Sequence, residues 1–262
     1  MSTNGLAALF QGAVDNGALS QGALASIDIQ DIGADINAAL GVSVDDVRKS
    51  EVTLFTSLID DSGSIRFVPG NTEAVRDGHN LVLDALNTTK TKSGILAMCR
   101  YLNGTLLYPY VAVEQAARMN TGNYNPSGGT PLYEQSVITL AAVLAKSQEF
   151  EDNGVACRTV TAIITDGADS TYGGKTADDV KRIVRDMLRA ENHIIAGMGI
   201  DDGQTDFRAV FKEMGILDEW ILTPKNSPSE IRKAFQMLSQ SASRASQAAT
   251  IFSQTAMGGF GG

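Results

Sequence analysis

The chain has 262 residues, 43% of them hydrophobic and 19% charged, so it can bury a sizeable core and is not broadly disordered. A formal net charge of −9, with no basic stripe, argues against nucleic acid as a partner. No stretch approaches the eighteen or so apolar residues of a spanning helix, and the N-terminus lacks a basic region followed by an apolar block. The expectation is a cytoplasmic protein with no membrane partner.

Residues 1–50 are rich in Gly, Ala, Ser and Asp, and their apolar clusters at Leu6–Phe10 and Ile32–Leu40 predict two or three short helices interrupted by glycines. This segment is too small for a strong core of its own and is expected to pack on the main domain or on a partner. From Val52 the pattern changes. Val52–Ile59 is an apolar, β-branched run ending at Asp60, as expected for a central strand covered on both faces.

Further strand runs follow at Gly94–Tyr101, Thr105–Tyr110, Arg158–Thr165, His193–Ile200 and Trp220–Leu222, and Asn103-Gly104 is a hairpin signal. Two helices carry capping-box starts, Thr176 with Asp179 and Ser227 with Pro228 and Glu230. In the Thr176 helix Val180, Ile183, Val184, Met187 and Leu188 share one face, leaving Lys181, Arg182, Arg185 and Asp186 for solvent. Residues 239–262 form a Ser, Ala and Gly-rich tail, expected to continue a helix and then become mobile. Strands alternating with amphipathic helices predict an α/β, doubly wound, Rossmann-like sheet of six mainly parallel strands, with helices on both faces and one antiparallel edge strand from the hairpin. The main domain is expected to span 51–238.

Cys99 and Cys157 lie in apolar runs and suit reduced, buried thiols better than a disulfide. His79 and His193 are far apart in sequence and give zinc no convincing ligand set.

Three motifs carry chemistry. At the end of the first strand, Asp60-Asp61-Ser62-Gly63-Ser64 offers a carboxylate and two hydroxyls in a loosened turn. Ser127-Gly128-Gly129-Thr130-Pro131 precedes a long helical pattern, with Thr130 expected as its N-cap. Asp166, followed by Gly167, ends the strand Val160–Thr165 at a sheet edge of the same polarity, where ligand sites of such sheets lie. Oxygen donors of this kind suit a hard cation such as Mg²⁺, with Mn²⁺ also accepted. Taken singly, each motif is more readily read as a turn or a helix cap than as a metal ligand set.

In this order, the Asp-x-Ser-x-Ser, Gly-Gly-Thr-Pro and Thr-Asp-Gly motifs resemble the metal-ion-dependent adhesion site of the von Willebrand factor type A family, in its intracellular prokaryotic form. The resemblance covers roughly 51–238. It implies that Asp60, Ser62, Ser64, Thr130 and Asp166 contact the ion directly or through water and that a partner's Asp or Glu completes the coordination. It implies a non-enzymatic interaction module, with an AAA+ ATPase as one partner class by analogy. Asp61, Arg66, Gly128, Gly129, Gly167 and Asp201 would rim the binding face, and Asp61 and Arg66 could pair with each other. Two other readings remain open. One is a self-assembling structural protein whose site docks a neighbouring subunit; the other is a metal-dependent hydrolase, for which no general base or phosphate clamp is evident.

Overall fold

The computed structural model describes residues 2–171, 174–247 and 258–261. Six strands form one sheet in the order β3-β2-β1-β4-β5-β6: β1 (Glu51–Ile59), β2 (Ile95–Tyr101), β3 (Leu106–Ala112), β4 (Ala156–Thr165), β5 (His193–Gly199) and β6 (Ile221–Leu222). All neighbouring pairs are parallel except β2 with β3, which makes β3 the antiparallel edge. Every residue of β2 and β5 is buried, as parallel strands covered on both faces require.

The hairpin forms at Asn103-Gly104. Tyr101 N–H donates to Thr105 O at 2.8 Å, Asn103 Oδ1 accepts from Thr105 N–H at 2.7 Å, and Gly104 takes φ +89°. Helix α4 (Asn71–Asn87) packs on α8 (Pro228–Gln247), while α5 (Leu132–Asp152) packs on β1, β4 and α6 (Ala177–Arg189). A short α7 (Phe207–Glu213) lies against β5. None of the described helices is long and apolar enough to cross a membrane.

The first fifty residues hold three helices: α1 (Thr3–Asp15), α2 (Gln21–Ile27) and α3 (Ile29–Ala39). They lie against α5, α6 and β3, and Leu6, Phe10, Ile27, Ile32 and Ile36 share one hydrophobic cluster with the sheet. Past α3 the chain comes close to β3. A side chain at Gly41, whose φ is +59°, would place its Cβ 2.0 Å from the Tyr110 carbonyl oxygen, and the next residue, Val42, donates its N–H to that oxygen at 2.9 Å. The buried Lys146 ammonium donates to Val42 O and to the Glu149 carboxylate, the latter at 2.8 Å.

Several local expectations need correction. Asp186 does not face solvent: it is fully buried, because the chain entering α2 covers it and Ser20 N–H donates to its carboxylate at 2.7 Å. The Thr176 capping box with Asp179 is complete. At Ser227 only half forms, since Glu230 N–H donates to Ser227 Oγ at 3.4 Å while the Glu230 carboxylate pairs with Lys233 at 2.6 Å. The mobile end expected of the tail falls mostly on residues that the structure does not describe. Residues 248–257 and 262 lie outside the described part, but Gly259–Gly261 form a 3₁₀ turn folded back on the domain. There Phe260 packs edge-on against the buried Trp220, ring centroids 5.4 Å apart, and Arg244 donates to Gly259 O at 3.1 Å.

Candidate metal centre

The register of β1 and β4 builds the site. Ile59 is paired with Ile164, so the chain leaving β1 at Asp60 runs beside Thr165, and Asp60 N–H donates to Ile164 O at 2.9 Å. Asp60 and Asp166 therefore emerge side by side at the carboxyl end of adjacent central strands, where the sheet's backbone hydrogen bonding is already spent.

Asp60 is fully buried and fixed from three directions. Its carboxylate accepts from Ser62 N–H at 2.7 Å, from Thr165 Oγ1 at 2.7 Å and from Asp166 N–H at 3.2 Å. Its carbonyl oxygen accepts from the buried Tyr124 hydroxyl at 2.6 Å. The Ser62 and Ser64 hydroxyls lie 2.8 Å apart, and both donate to Asp166 Oδ1, at 3.2 Å and 2.7 Å. Burial first, and then the charge of Asp60, push the Asp166 carboxyl up to about 6.

The Gly-Gly-Thr loop reaches the same place by a different route. Ser62 and Gly128 form a parallel bridge, Gly63 N–H donates to Gly128 O at 3.1 Å, and Ser127 N–H donates to Asp61 O at 2.7 Å. Thr130 is not the N-cap. The helix begins at Leu132 with Pro131 as its cap, which uses Pro's fixed φ and leaves the Thr130 side chain free of capping. Thr130 is instead held by its backbone, its N–H donating to Ser170 Oγ at 2.9 Å and its carbonyl accepting from Ser170 N–H at 2.9 Å. A Cβ on Gly167 would lie 3.2 Å from Thr130 Oγ1, so that hydroxyl sits beside the Asp166-Gly167 peptide.

Of the predicted rim, Asp61 is buried and does not pair with Arg66. Its carboxylate accepts from Asn103 N–H at 3.0 Å, latching the β2–β3 hairpin beneath the site. Arg66, Gly128 and Gly129 are exposed, and Gly167 is half-buried. Asp201 is exposed, 35 residues beyond Asp166 in sequence, and its carboxylate accepts Gly203 N–H at 2.8 Å in a plain turn. Sequence reasoning missed Thr165, Tyr124, Asn103 and Ser170, which orient the site; only Thr165, directly before Asp166, carried a local signal.

A cation can be held by this donor set. Among the described residues no three His, Cys, Asp or Glu side chains converge, so the ion would depend on two carboxylates and three hydroxyls, all oxygen, as hard divalent cations prefer. The hydroxyls of Ser62 and Ser64 donate to Asp166 Oδ1; turning their lone pairs to an ion would release that Asp166 oxygen to ligate, while Asp60 stays oriented by Thr165 and by backbone N–H groups. The histidines play no part. His193 starts β5 at the opposite end of the sheet, 2.7 Å from Thr159, and His79 meets the Tyr108 hydroxyl at 3.1 Å in the core. Both cysteines are free and buried.

No family model matches the sequence, and no curated protein does. Solved structures match the fold. The pilus adhesin SpaC from Lactobacillus rhamnosus GG, in its open conformation, aligns with a TM-score of 0.52 at 11% identity, over 74% of this chain and 30% of that one. The vWF domain of the type V pili tip protein Mfa5 from Porphyromonas gingivalis aligns with a TM-score of 0.52 at 11% identity, over 77% of this chain and 98% of that one. Proximal thread matrix protein 1 from the mussel byssus, with a zinc-occupied MIDAS motif, aligns at 0.48 with 15% identity, over 74% and 47%. The chain spans less than half the length of the first structures it matches. At these identities the likeness concerns the backbone alone, and the chain has the α/β, Rossmann-like fold of a von Willebrand factor type A domain.

Proposed function

We propose that this protein is a metal-dependent protein-interaction module: Asp60, Ser62, Ser64, Thr130 and Asp166 hold a divalent cation, Mg²⁺ in preference and Mn²⁺ as an alternative, that captures an Asp or Glu of a partner. The observation that carries the reading is the meeting of Ser62 and Ser64 from one strand end with Asp166 from the next, over an Asp60 locked in place. When bound, the ion supplies an open coordination position for an incoming carboxylate oxygen. The chain's own residues do the rest. Asp60 is oriented by Thr165 and by backbone N–H groups, the Ser62–Ser64 turn is held by the Ser62–Gly128 bridge, and Thr130 is presented beside Gly167 by Ser170.

The partner stands in two classes, a different protein such as an AAA+ ATPase, or a second copy of this chain. The fold's similarity to a pilus adhesin and a pilus tip protein favours adhesion or assembly. A hydrolase is disfavoured, because the two histidines are buried away from the site and offer it no general base. Calorimetry of Mg²⁺ and Mn²⁺ with wild type and Asp60→Ala tests the core of the reading. Binding by wild type that is lost in the variant supports it, provided Asp60→Ala keeps its circular-dichroism spectrum. No binding by wild type overturns it. Gel filtration with Mg²⁺ or chelator then separates the partner classes, since self-assembly makes size depend on the ion and on concentration.

A further inference from the structure

The turn that carries Ser64 also carries the most exposed large apolar side chain among the described residues. Phe67 is 81% exposed, against 40% for Leu81 and 39% for Met237. Single exposed apolar residues are common on surfaces and need no explanation by themselves. Phe67 differs in its placement. Gly63–Phe67 is a 3₁₀ helix, in which side chains three apart eclipse one another, so Phe67 lies on the face of Ser64 and about 6 Å further along the axis at roughly 2.0 Å per residue. The Ser64 hydroxyl on that face points at Asp166.

The turn is also firmly seated. Ile65 is buried beneath it, Gly63 is tied to Gly128, and Val68 O accepts Asn71 N–H at 3.2 Å as the chain enters α4. The backbone under Phe67 is thus fixed relative to the candidate metal centre, and its exposed ring stands one 3₁₀ turn beyond Ser64.

We infer that Phe67 is a specificity residue: the partner segment presents its Asp or Glu next to an apolar side chain, which packs on the Phe67 ring while the carboxylate meets the ion. The inference rests on the proposed metal-dependent capture of a carboxylate. It assigns the turn two tasks, an ionic one at Ser64 and an apolar one at Phe67, and it selects apolar-flanked acidic segments over acidic segments flanked by small residues. An aromatic ring covered by one aliphatic side chain is worth about a threefold to tenfold gain in affinity.

The test uses the full chain with saturating Mg²⁺ and two probes, acetyl-Gly-Asp-Gly-amide and acetyl-Leu-Asp-Leu-amide, titrated by NMR into wild type and Phe67→Ser. The expected result is that the leucine peptide binds wild type about threefold to tenfold more tightly than the glycine peptide. In Phe67→Ser that advantage disappears, while Mg²⁺ affinity, melting temperature and glycine-peptide binding are unchanged. Equal affinities in wild type, or an advantage that survives in Phe67→Ser, overturn the role of Phe67 and leave the metal-capture reading standing. Mg²⁺ binding without binding of either peptide, or no Mg²⁺ binding at all, overturns the metal-capture reading and this inference with it.

Discussion

Ser64 contributes to the site through a single hydroxyl, half-exposed and 2.7 Å from Asp166, so its removal isolates the ionic task from folding. Ser64→Ala should weaken Mg²⁺ binding about tenfold, the worth of one modest oxygen contact, and move the melting temperature little; calorimetry beside a thermal melt reads both. The histidines report on pH instead. Burial pushes His79 and His193 down to about 3 from the usual 6.5, so the folded chain keeps them neutral where the unfolded chain binds protons. Their stabilising contribution is complete above about pH 6.5 and is lost as pH falls toward 3, by about 1.4 kcal/mol per pH unit for each histidine. Asp166, with its carboxyl raised, acts in the opposite direction in metal-free protein. The clean comparison is therefore between variants: in chelator, His79→Gln should lose less melting temperature than wild type between pH 7 and pH 5, and parallel curves would refute this account. That Asp60, Ser62, Ser64, Thr130 and Asp166 come together was readable because strand ends and Gly-rich loops are local patterns. Tyr124, Asn103 and Ser170 were not, because each acts across the fold on a residue distant in sequence, and a lone Tyr or Ser in a loop gives no sign of its target.

Elements meet here through glycines that admit aromatic rings. A Cβ on Gly78 of α4 would lie 2.2 Å from the Phe235 ring of α8, and one on Gly197 or Gly199 of β5 would strike Phe211 or Phe207 of α7. Helix propensity alone favours Ala over Gly by about 1 kcal/mol. Phe235 is fully buried and has nowhere to move, so the overpacking cost prevails: Gly78→Ala should destabilise by about 1–3 kcal/mol net, measured by chemical denaturation, and a stabilised variant would show that α8 yields. The strands themselves were legible in the sequence to within a residue or two, because parallel strands buried on both faces leave long apolar runs. Helix starts were less so. Thr130 looked like a cap because Thr followed by Pro usually is one, yet Pro131 took that place and released the hydroxyl toward Gly167. Asp186 looked solvent-facing because the periodicity of α6 records only its own core face, and nothing local announces that the chain entering α2 covers the other side.

At the scale of the molecule, the question is whether the N-terminal helices form part of the unit that holds the candidate metal centre. Two kinds of contact tie them in. Ile36 and Leu6 are completely buried in the cluster that also contains β1 and α5. Arg100 of β2, only 1% exposed, is held from α3 by the Asp35 carbonyl at 3.0 Å and carboxylate at 3.3 Å, and from the hairpin by Gly104 O at 2.9 Å. A guanidinium buried this deeply needs those partners, since leaving it unpaired in a low-dielectric interior is strongly unfavourable. The hairpin that Arg100 braces is the one latched by Asp61, directly after Asp60. Loosening α3 should therefore be felt at the candidate metal centre without Asp60, Ser62, Ser64, Thr130 or Asp166 being touched. Ile36→Ala removes buried apolar volume at a cost of about 2–5 kcal/mol. If the helices and the sheet form one cooperative unit, its denaturant midpoint should fall in a single transition, with Trp220 fluorescence and far-ultraviolet circular dichroism coinciding. If the N-terminal helices were an independent appendage, circular dichroism would show a small early step while Trp220, packed at the far edge of the sheet beside β6, kept its wild-type midpoint.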